Sequence, residues 1–276
     1  MSLSLSNAAI QQFQMSFNLK FQAKEKLRNT CKTKVGVVGD AYKMPFLGTV
    51  PAQRRGAYQS AISASPVPTE QKIITFEDWT PRVAVDKFQE LMIPPDVLSE
   101  YASLLAMTMG RINDQTNIDA LDAGKGTTIP VGTTNLTVEK LRAAKKELDY
   151  QNVEGDRYIV LDPSQMDSLL AEDEITNVLY NNQRTLVDGK IGTFLGMKFI
   201  TMSNMADLPG LPKTGDNRSI YVWSHEAITR AFRKPPSVEM YYDGINTTWL
   251  ATGLMSVGAK VGQSEGVVEI LCDETK

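Results

Sequence analysis

Residues 186–205 read LVDGKIGTFLGMKFITMSNM, with Gly189, Gly192 and Gly196 in quick succession around a Phe194-Leu195 pair. Glycine belongs where a chain needs positive φ or close backbone approach, so three within eight residues prescribe a tight path. The spacing predicts a hairpin that feeds a strand over Met197–Thr201. The stretch offers no constellation for acid, base or nucleophilic chemistry.

The surrounding chain has the same character. With 276 residues it is long enough for one large domain or two packed ones. Its 42% apolar and 22% charged residues are ordinary globular values, so neither a disordered nor a fibrous class applies. No apolar run approaches the roughly 18 residues that span a bilayer. The opening MSLSLSNAAIQQFQMSF lacks a basic n-region and a long apolar block, so no secretory signal is expected. Cys31 and Cys272 form no CxxC pair and read as two reduced thiols, and with one histidine, His225, no zinc site is expected.

Charge is unevenly spread. Residues 1–60 hold nine Lys or Arg against Glu25 and Asp40, a net +7, so the rest carries −10 of the overall −3. Such an asymmetry suggests a basic arm that meets an acidic surface or a polyanion, or else an exposed, solvated helix and loop. Within it, Ala8 to Arg28 has helical spacing, with Phe13, Phe17 and Phe21 on one stripe that needs a surface to lie on.

From Thr30 to Ile74, glycines and prolines interrupt any regular element. Long loops of this kind usually serve binding. Lys34–Val38 and Ile73–Asp78 are expected to pair as the arms of a long hairpin. Pro94-Pro95-Asp96 opens the best helix, with Val97, Tyr101, Leu104, Leu105, Thr108 and Ile112 in phase. Carried to Leu121 and stopped by Gly124 and Gly126, it would be a spine of nearly 40 Å at about 1.5 Å per residue. Thr137 caps a helix through Leu148, Tyr158–Leu161 is a strand, and Asp162-Pro163 starts another helix. Ile220–Trp223 reads as a strand, Ser224 as the cap of a helix over Glu226–Phe232, and Thr247–Val261 and Val267–Cys272 as closing strands. This mixture predicts an α+β fold.

Three groupings invite a chemical reading. Gly124-Lys125-Gly126-Thr127-Thr128 lacks the glycine five residues earlier and the strand–loop–helix context of a phosphate loop, so it reads as a helix stop. Ser224, His225 and Glu226 are adjacent on one element and have no triad geometry. Glu172-Asp173-Glu174 lacks the alternating ligand spacing of a calcium loop and reads as a solvated acidic turn. Neither catalytic residues nor a cofactor or metal site is expected.

In order and texture the chain resembles the major capsid proteins of tailed bacteriophages, which have the Hong Kong 97 capsid fold. The basic, glutamine-rich arm comes first. FEDWTPRVAVDKFQELMIPPDVLSEYASLLAMTMGRINDQTNIDALDAG (76–124) resembles the return of that family's extended loop into its spine helix. DRYIVLDPSQMDSLLAEDE (156–174) and LVDGKIGTFLGMKFITMSNMADLPG (186–210) are similar to its axial-domain passage. VWSHEAITRAFRK (222–234) through GLMSVGAKVGQSEGVVEILCDE (253–274) resembles its last axial helix and closing strands.

The resemblance implies an N-terminal arm over 1–32, an extended β-hairpin loop over 33–85, and a peripheral domain with a long spine helix over 86–129. An axial domain over 130–255 and C-terminal strands over 256–276, returning to the peripheral domain, complete it. It implies a structural, non-enzymatic subunit that forms hexamers and pentamers of an icosahedral head around double-stranded DNA. The virion would be its location and the host bacterial cytoplasm its place of assembly. Implied partners are other copies of itself, a separate scaffolding protein, a portal, packaged DNA held non-specifically and a decoration protein, with no membrane. Phe13, Phe17, Phe21, Lys43, Arg54 and Arg55 are the candidate inter-subunit contacts. Lys20, Lys24, Lys26 and Arg28 are the candidates to face DNA or an acidic neighbour. Some relatives cross-link through a lysine and an asparagine, and no motif here supports Lys43 in that role. A binding module that uses residues 33–85 for a single partner is the alternative.

Overall fold

The computed structural model describes residues 25–48, 66–86, 95–172, 186–187, 190–203 and 208–275, with the single positions 50, 52, 54 and 175. Phe13, Phe17, Phe21, Lys20, Lys24, Arg55, Asp173, Glu174 and Gly189 lie outside them.

The elements run β1 (Lys32–Val35), β2 (Ala41–Leu47), β3 (Thr69–Thr75), β4 (Glu77–Trp79), β5 (Arg82–Asp86) and α1 (Pro95–Gly124). β6 (Thr127–Ile129), α2 (Val138–Tyr150), β7 (Arg157–Leu161) and α3 (Pro163–Leu170) follow. The short strands β8 (Leu186–Val187), β9 (Lys190–Ile191) and β10 (Thr193–Phe194) precede β11 (Met197–Thr201) and β12 (Lys213–Thr214). β13 (Asn217–Ser224), β14 (Ile228–Asp243), β15 (Thr248–Val261) and β16 (Val267–Asp273) close the chain. The fold is a mixed α+β one.

One sheet has seven strands in the order β10-β11-β7-β13-β16-β6, with β12 added to β13. Its central strands are buried on both faces, which is why they read as unbroken apolar runs. Ile159, Leu161, Ile220, Val222, Val268 and Ile270 point to one face, under Leu141, Leu148 and Leu169 of α2 and α3. Val160, Tyr221, Trp223 and Val267 point to the other, against Ile118 and Leu121 of α1 and against Leu27.

The second sheet is ordered β1-β14-β15-β4, with β5 also on β15. It packs Phe232, Val238, Ala251 and Met255 on Leu105, Met109 and Ile112 of α1. The β14–β15 hairpin is inserted between β13 and β16, which are antiparallel neighbours in the first sheet. α1 thus spans both sheets. Its 30 residues make it about 45 Å long at 1.5 Å per residue.

The local signals held where expected. Thr137 caps α2 through the Lys140 N–H, and Asp162 begins a capping box on α3 with Gln165. The turn Leu195-Gly196 joins β10 to β11, as the punctuated stretch foretold. Gly196 has φ 80°, but so has Leu195 a positive φ of 52°.

Two expectations fail. No helix covers Glu226–Phe232: residues 225–227 turn and β14 begins at Ile228. This segment pairs with β1 on one side and β15 on the other, and those ladders outweigh its local helical preference. The hairpin arms are β2 and β3 in register Ala41↔Thr75 to Leu47↔Thr69, while Lys32–Val35 runs parallel to β14 instead. Pro235 and Pro236 fall at the register shifts of β14, where a missing N–H is tolerated.

Residues 130–255 supply strands to both sheets, and β16, within 256–276, lies between β13 and β6 in the seven-stranded one.

The root of the β2–β3 hairpin sits on the second sheet through Met44, Ile74 and Ala231. Lys260 Nζ donates to Ile73 O at 3.0 Å. Gly258 of β15 lets that root approach closely, since a Cβ there would lie 2.1 Å from Thr75 O. Both cysteines are free and buried, and burial pushes their thiols up, Cys272 to about 12. Thiols in that state are unreactive.

Candidate functional site

Among the described residues no group of three His, Cys, Asp or Glu side chains is placed to hold a metal ion. Nor is any described helix long and apolar enough to cross a membrane. The phosphate-loop look-alike is a helix stop. α1 ends at Gly124, and the Gly126 N–H donates to Val267 O at 3.1 Å. Lys125 Nζ donates to Asp122 (3.1 Å) and Glu269 (2.9 Å), so its charge is spent inside the subunit. Ser224 is the last residue of β13, not a helix cap, and its hydroxyl donates to Glu154 O at 3.0 Å. The His225 N–H donates to Asp156 O at 2.9 Å, and its ring lies 6.4 Å from that of Tyr158. These partners satisfy the groups structurally and leave no nucleophile–base pair.

What the chain does present is apolar surface that no other described residue covers. Beyond its root the β2–β3 hairpin holds Leu47 76% exposed, with Val50 and Val67 also exposed, and at the root the Ile73 side chain is exposed as well. Lys43 and Arg54 are exposed there too. A cleft of ≈ 990 Å³ runs beneath the hairpin, between Phe46, Pro68 and Lys72 on one side and Val153, Glu226 and Gln263 on the other.

The far end of β14–β15 is a second such surface, which the sequence reading missed. Ile245 is 93% exposed, beside the exposed Tyr241 and Tyr242. Asp243 fixes this turn, accepting from Asn246 Nδ2 (2.7 Å) and from the Ile245 N–H (3.0 Å). Those bonds, the Asn246 one first, hold its carboxyl below the usual range. The available signal was the Asp-Gly pair between two strand-like runs.

A third feature concerns the arm. Residues 25–31 are built into the body: Leu27 and Cys31 are core residues, and Trp223 Nε1 donates to Thr30 O at 2.9 Å. The Leu27 and Lys26 N–H groups donate to Asp114 of α1 at 3.0 and 3.2 Å. Arg230 of β14 pairs with Glu25, and both side chains are 1% exposed. The guanidinium also donates to Arg28 O at 3.2 Å. Lys26 Nζ reaches Thr201 O at 3.0 Å, so of the two described candidates for an anion contact, Lys26 is partly spent and Arg28 stands exposed.

Burial pushes the Asp114 carboxyl up to about 6, against the lowering by the two N–H groups. An acid whose folded pKa exceeds its unfolded value of 3.8 holds its proton more tightly in the folded chain. This favourable contribution is complete below about pH 4 and is lost as pH rises through about 6. Two units correspond to ~3 kcal/mol. We therefore expect Asp114→Asn to gain about that much stability relative to the parent between pH 4 and 7.5, read from paired urea unfolding curves. A pH-independent difference between the two proteins would show that Asp114 titrates normally.

Comparison with known proteins now adds to this geometry. The family model described as phage capsid protein matches residues 5–274. No curated protein matches the sequence. Among solved structures, the capsid of cyanophage P-SCSP1u is similar at TM-score 0.73 and 16% identity, covering 89% of this chain and 87% of that one. A structure from Mycobacterium phage Che8 gives TM-score 0.65 at 17% identity, covering 86% of each chain. A virus-like particle from Pyrococcus furiosus gives 0.63 at 10% identity, covering 95% and 98%. At such identities the structures speak for the fold alone, whereas the family model speaks for descent over nearly the whole length. The chain belongs to the phage capsid protein family, as a major capsid protein of the virion shell.

Proposed function

We propose that this subunit self-assembles, without catalysing a reaction, into hexamers and pentamers of an icosahedral head that encloses double-stranded DNA. The observation that carries this reading is the β2–β3 hairpin. It extends from a root packed on the second sheet, with Phe46 set against Gly262, and leaves Leu47, Val50 and Val67 exposed. Apolar area on a projecting arm is worth about 25 cal/mol per Å² once a neighbour covers it, and many repeats make weak contacts into a stable shell.

In Hong Kong 97 terms, the hairpin is the extended loop and α1 the spine helix. We assign α1 and the five-stranded sheet to the peripheral domain, and the seven-stranded sheet with α2 and α3 to the axial domain. This division follows the sheets in place of contiguous ranges. Phe13, Phe17, Phe21, Lys43, Arg54 and Arg55 would contact neighbouring subunits. Lys20, Lys24, Lys26 and Arg28 would meet DNA or an acidic neighbour, with the salt sensitivity of phosphate contacts. A separate scaffolding protein, a portal and a decoration protein are the further partners we assign, with assembly in the host bacterial cytoplasm.

The test removes the projection and keeps the root. Deleting residues 34–82 would take β4 and much of β1 out of the second sheet, so a smaller cut is needed. Replacing residues 48–68 by Asn-Gly joins the paired residues Leu47 and Thr69 through a two-residue turn. The expected outcome is a variant with parental circular dichroism and melting that forms no closed shells in negative-stain electron microscopy, under conditions where the parent does. Shells from the trimmed variant would sink the loop assignment. Uniform monomers of the parent, alone and with a phage lysate supplying scaffold, would sink the capsid-assembly reading.

A further inference from the structure

Two surface patches of opposite charge lie at opposite ends of the seven-stranded sheet. α2 finishes at Tyr150 beside the start of β7, pinned there by the Arg157–Asp149 pair at 2.7 Å. The Leu195-Gly196 turn lies at the same end, because β11 and β7 are parallel with Met197 opposite Arg157. Between them is a cleft of ≈ 440 Å³ lined by Arg142, Lys145, Lys146, Asp149, Tyr150 and Leu195. Its one acid, Asp149, is taken by Arg157. Arg142, Lys145 and Lys146 have no ion-pair partner among the described residues; Lys146 lies 5.4 Å from the centre of the Tyr150 ring.

Two details mark this cleft as more than a solvated helix face. Tyr150 is 67% exposed, an aromatic of the kind that anchors interfaces. Leu195 is held at φ 52°, a conformation that a bulky side chain adopts only against steric cost. The strain places a leucine on the cleft wall where glycine or asparagine would turn the chain freely.

The opposite end, about 17 Å away across five residues of β7, is acidic. Asp167 is on α3, which starts directly after β7, and Asp216 lies in the turn that enters β13 opposite the end of β16. Glu274 ties these two pieces together: Gln165 Nε2 donates to it at 3.2 Å, and its N–H donates to Asp216 O at 3.1 Å. Its own carboxylate is spent on Arg218 and Lys213. Asp167 and Asp216 are exposed, with no ion-pair partner among the described residues.

We propose that the basic cleft of one copy receives the Asp167–Asp216 end of the next, in a head-to-tail contact between axial domains. A contact between two different patches of the same chain builds a ring when its rotation closes, which is the geometry a capsomer needs. The occupant is a second copy because this chain carries both complementary ends, one at each end of a single rigid sheet. This assignment rests on the self-assembly proposed above.

The test is a charge swap in the full-length protein, with sedimentation velocity and negative-stain microscopy as readouts and circular dichroism as the folding check. Lys145→Glu with Lys146→Glu is expected to weaken self-association at least tenfold and to abolish rings and shells. Asp167→Lys with Asp216→Lys is expected to do the same. Combining all four substitutions restores opposite charges across the contact and is expected to recover assembly to within a few-fold of the parent. Parental assembly by either double variant, or failure of the folded quadruple variant to recover, overturns this interface while leaving capsid assembly intact. Intact shells that retain less DNA in the lysine variant also overturn it, and assign the cleft to nucleic acid. A parent that stays monomeric at every concentration overturns the assembly reading and this contact together.

Discussion

Replacing Arg230 by methionine is expected to cost the subunit about 3–5 kcal/mol, because the change strands a buried carboxylate. Arg230 sits on β14 opposite Thr33 on one side and Ala259 on the other, with its guanidinium 1% exposed. It pairs with Glu25, donates to Arg28 O, and lies 5.2 Å from the centre of the Phe232 ring. Methionine keeps much of the stem's volume and loses every one of these charge-assisted contacts. Glu25, which lies beside Gly110 of α1, is then left without its cation, one turn from Asp114, which shares the same surroundings. The double variant Glu25→Gln, Arg230→Met removes both charges and should recover most of the loss, since a paired buried charge differs little in net worth from neutral packing. Urea unfolding of the four proteins in the cycle measures this. A single-variant loss under about 1 kcal/mol would mean that water reaches the pair. Hydrogen exchange adds a local readout: amides of residues 26–31 should exchange faster in Arg230→Met, because this pair and Asp114 together hold the segment down.

The second large effect is expected at Lys140. This residue lies in the first turn of α2 and points inward, 8% exposed. Its ammonium donates to Val131 O and Thr134 O at 2.7 Å, Asn135 O at 3.0 Å and Leu271 O at 3.1 Å. Three N–H bonds are thus shared among four carbonyls. The loop before α2 and the end of β16 are fastened to each other through one nitrogen. Lys140→Met leaves those acceptors without a donor, at about 1–3 kcal/mol for each that water fails to reach. We expect a total loss of ~3–4 kcal/mol in urea unfolding, with faster exchange at Leu271–Asp273. Lys140→Arg should not restore the parent, because a planar guanidinium cannot converge on four carbonyls as a tetrahedral ammonium does. A methionine variant within about 1 kcal/mol of the parent would show that the loop rearranges to pair its own carbonyls.

Neither group was legible from the sequence, and the reason is the same for both. Arg230 occupied a stretch that read as a helix, where a lone arginine belongs on the solvated face. Lys140 stood beside Val138 and Leu141 in an amphipathic pattern, where a lysine is again assigned to solvent. Arg230 became a buried hub because β1, β15 and Glu25 closed around it, and Lys140 because the 131–135 loop folded back over its ammonium and met Leu271 of β16 there. The Asp243 turn shows a milder form of this blindness. Its Asp-Gly signal is local, but Ile245 stands exposed there because, among the described residues, nothing else comes near.

By itself the sequence determined whatever a few neighbouring residues can decide. The long helix and its glycine stop, the caps at Thr137 and Asp162, the tight Leu195-Gly196 turn and the apolar strands of the seven-stranded sheet all follow from spacing and side-chain chemistry within a turn or two. Its order and texture also carried the likeness to phage capsid proteins. The tertiary structure alone decided that Ile228–Asp243 is a strand, that Ala41–Leu47 and not Lys34–Val38 forms the hairpin arm, and that the cleft of Arg142, Lys145 and Lys146 lies at the other end of the sheet from Asp216. Those outcomes depend on ladders and ion pairs between residues up to about two hundred positions apart, such as Glu25 with Arg230. Local propensity differences, at well under 1 kcal/mol per residue, are too small to resist them.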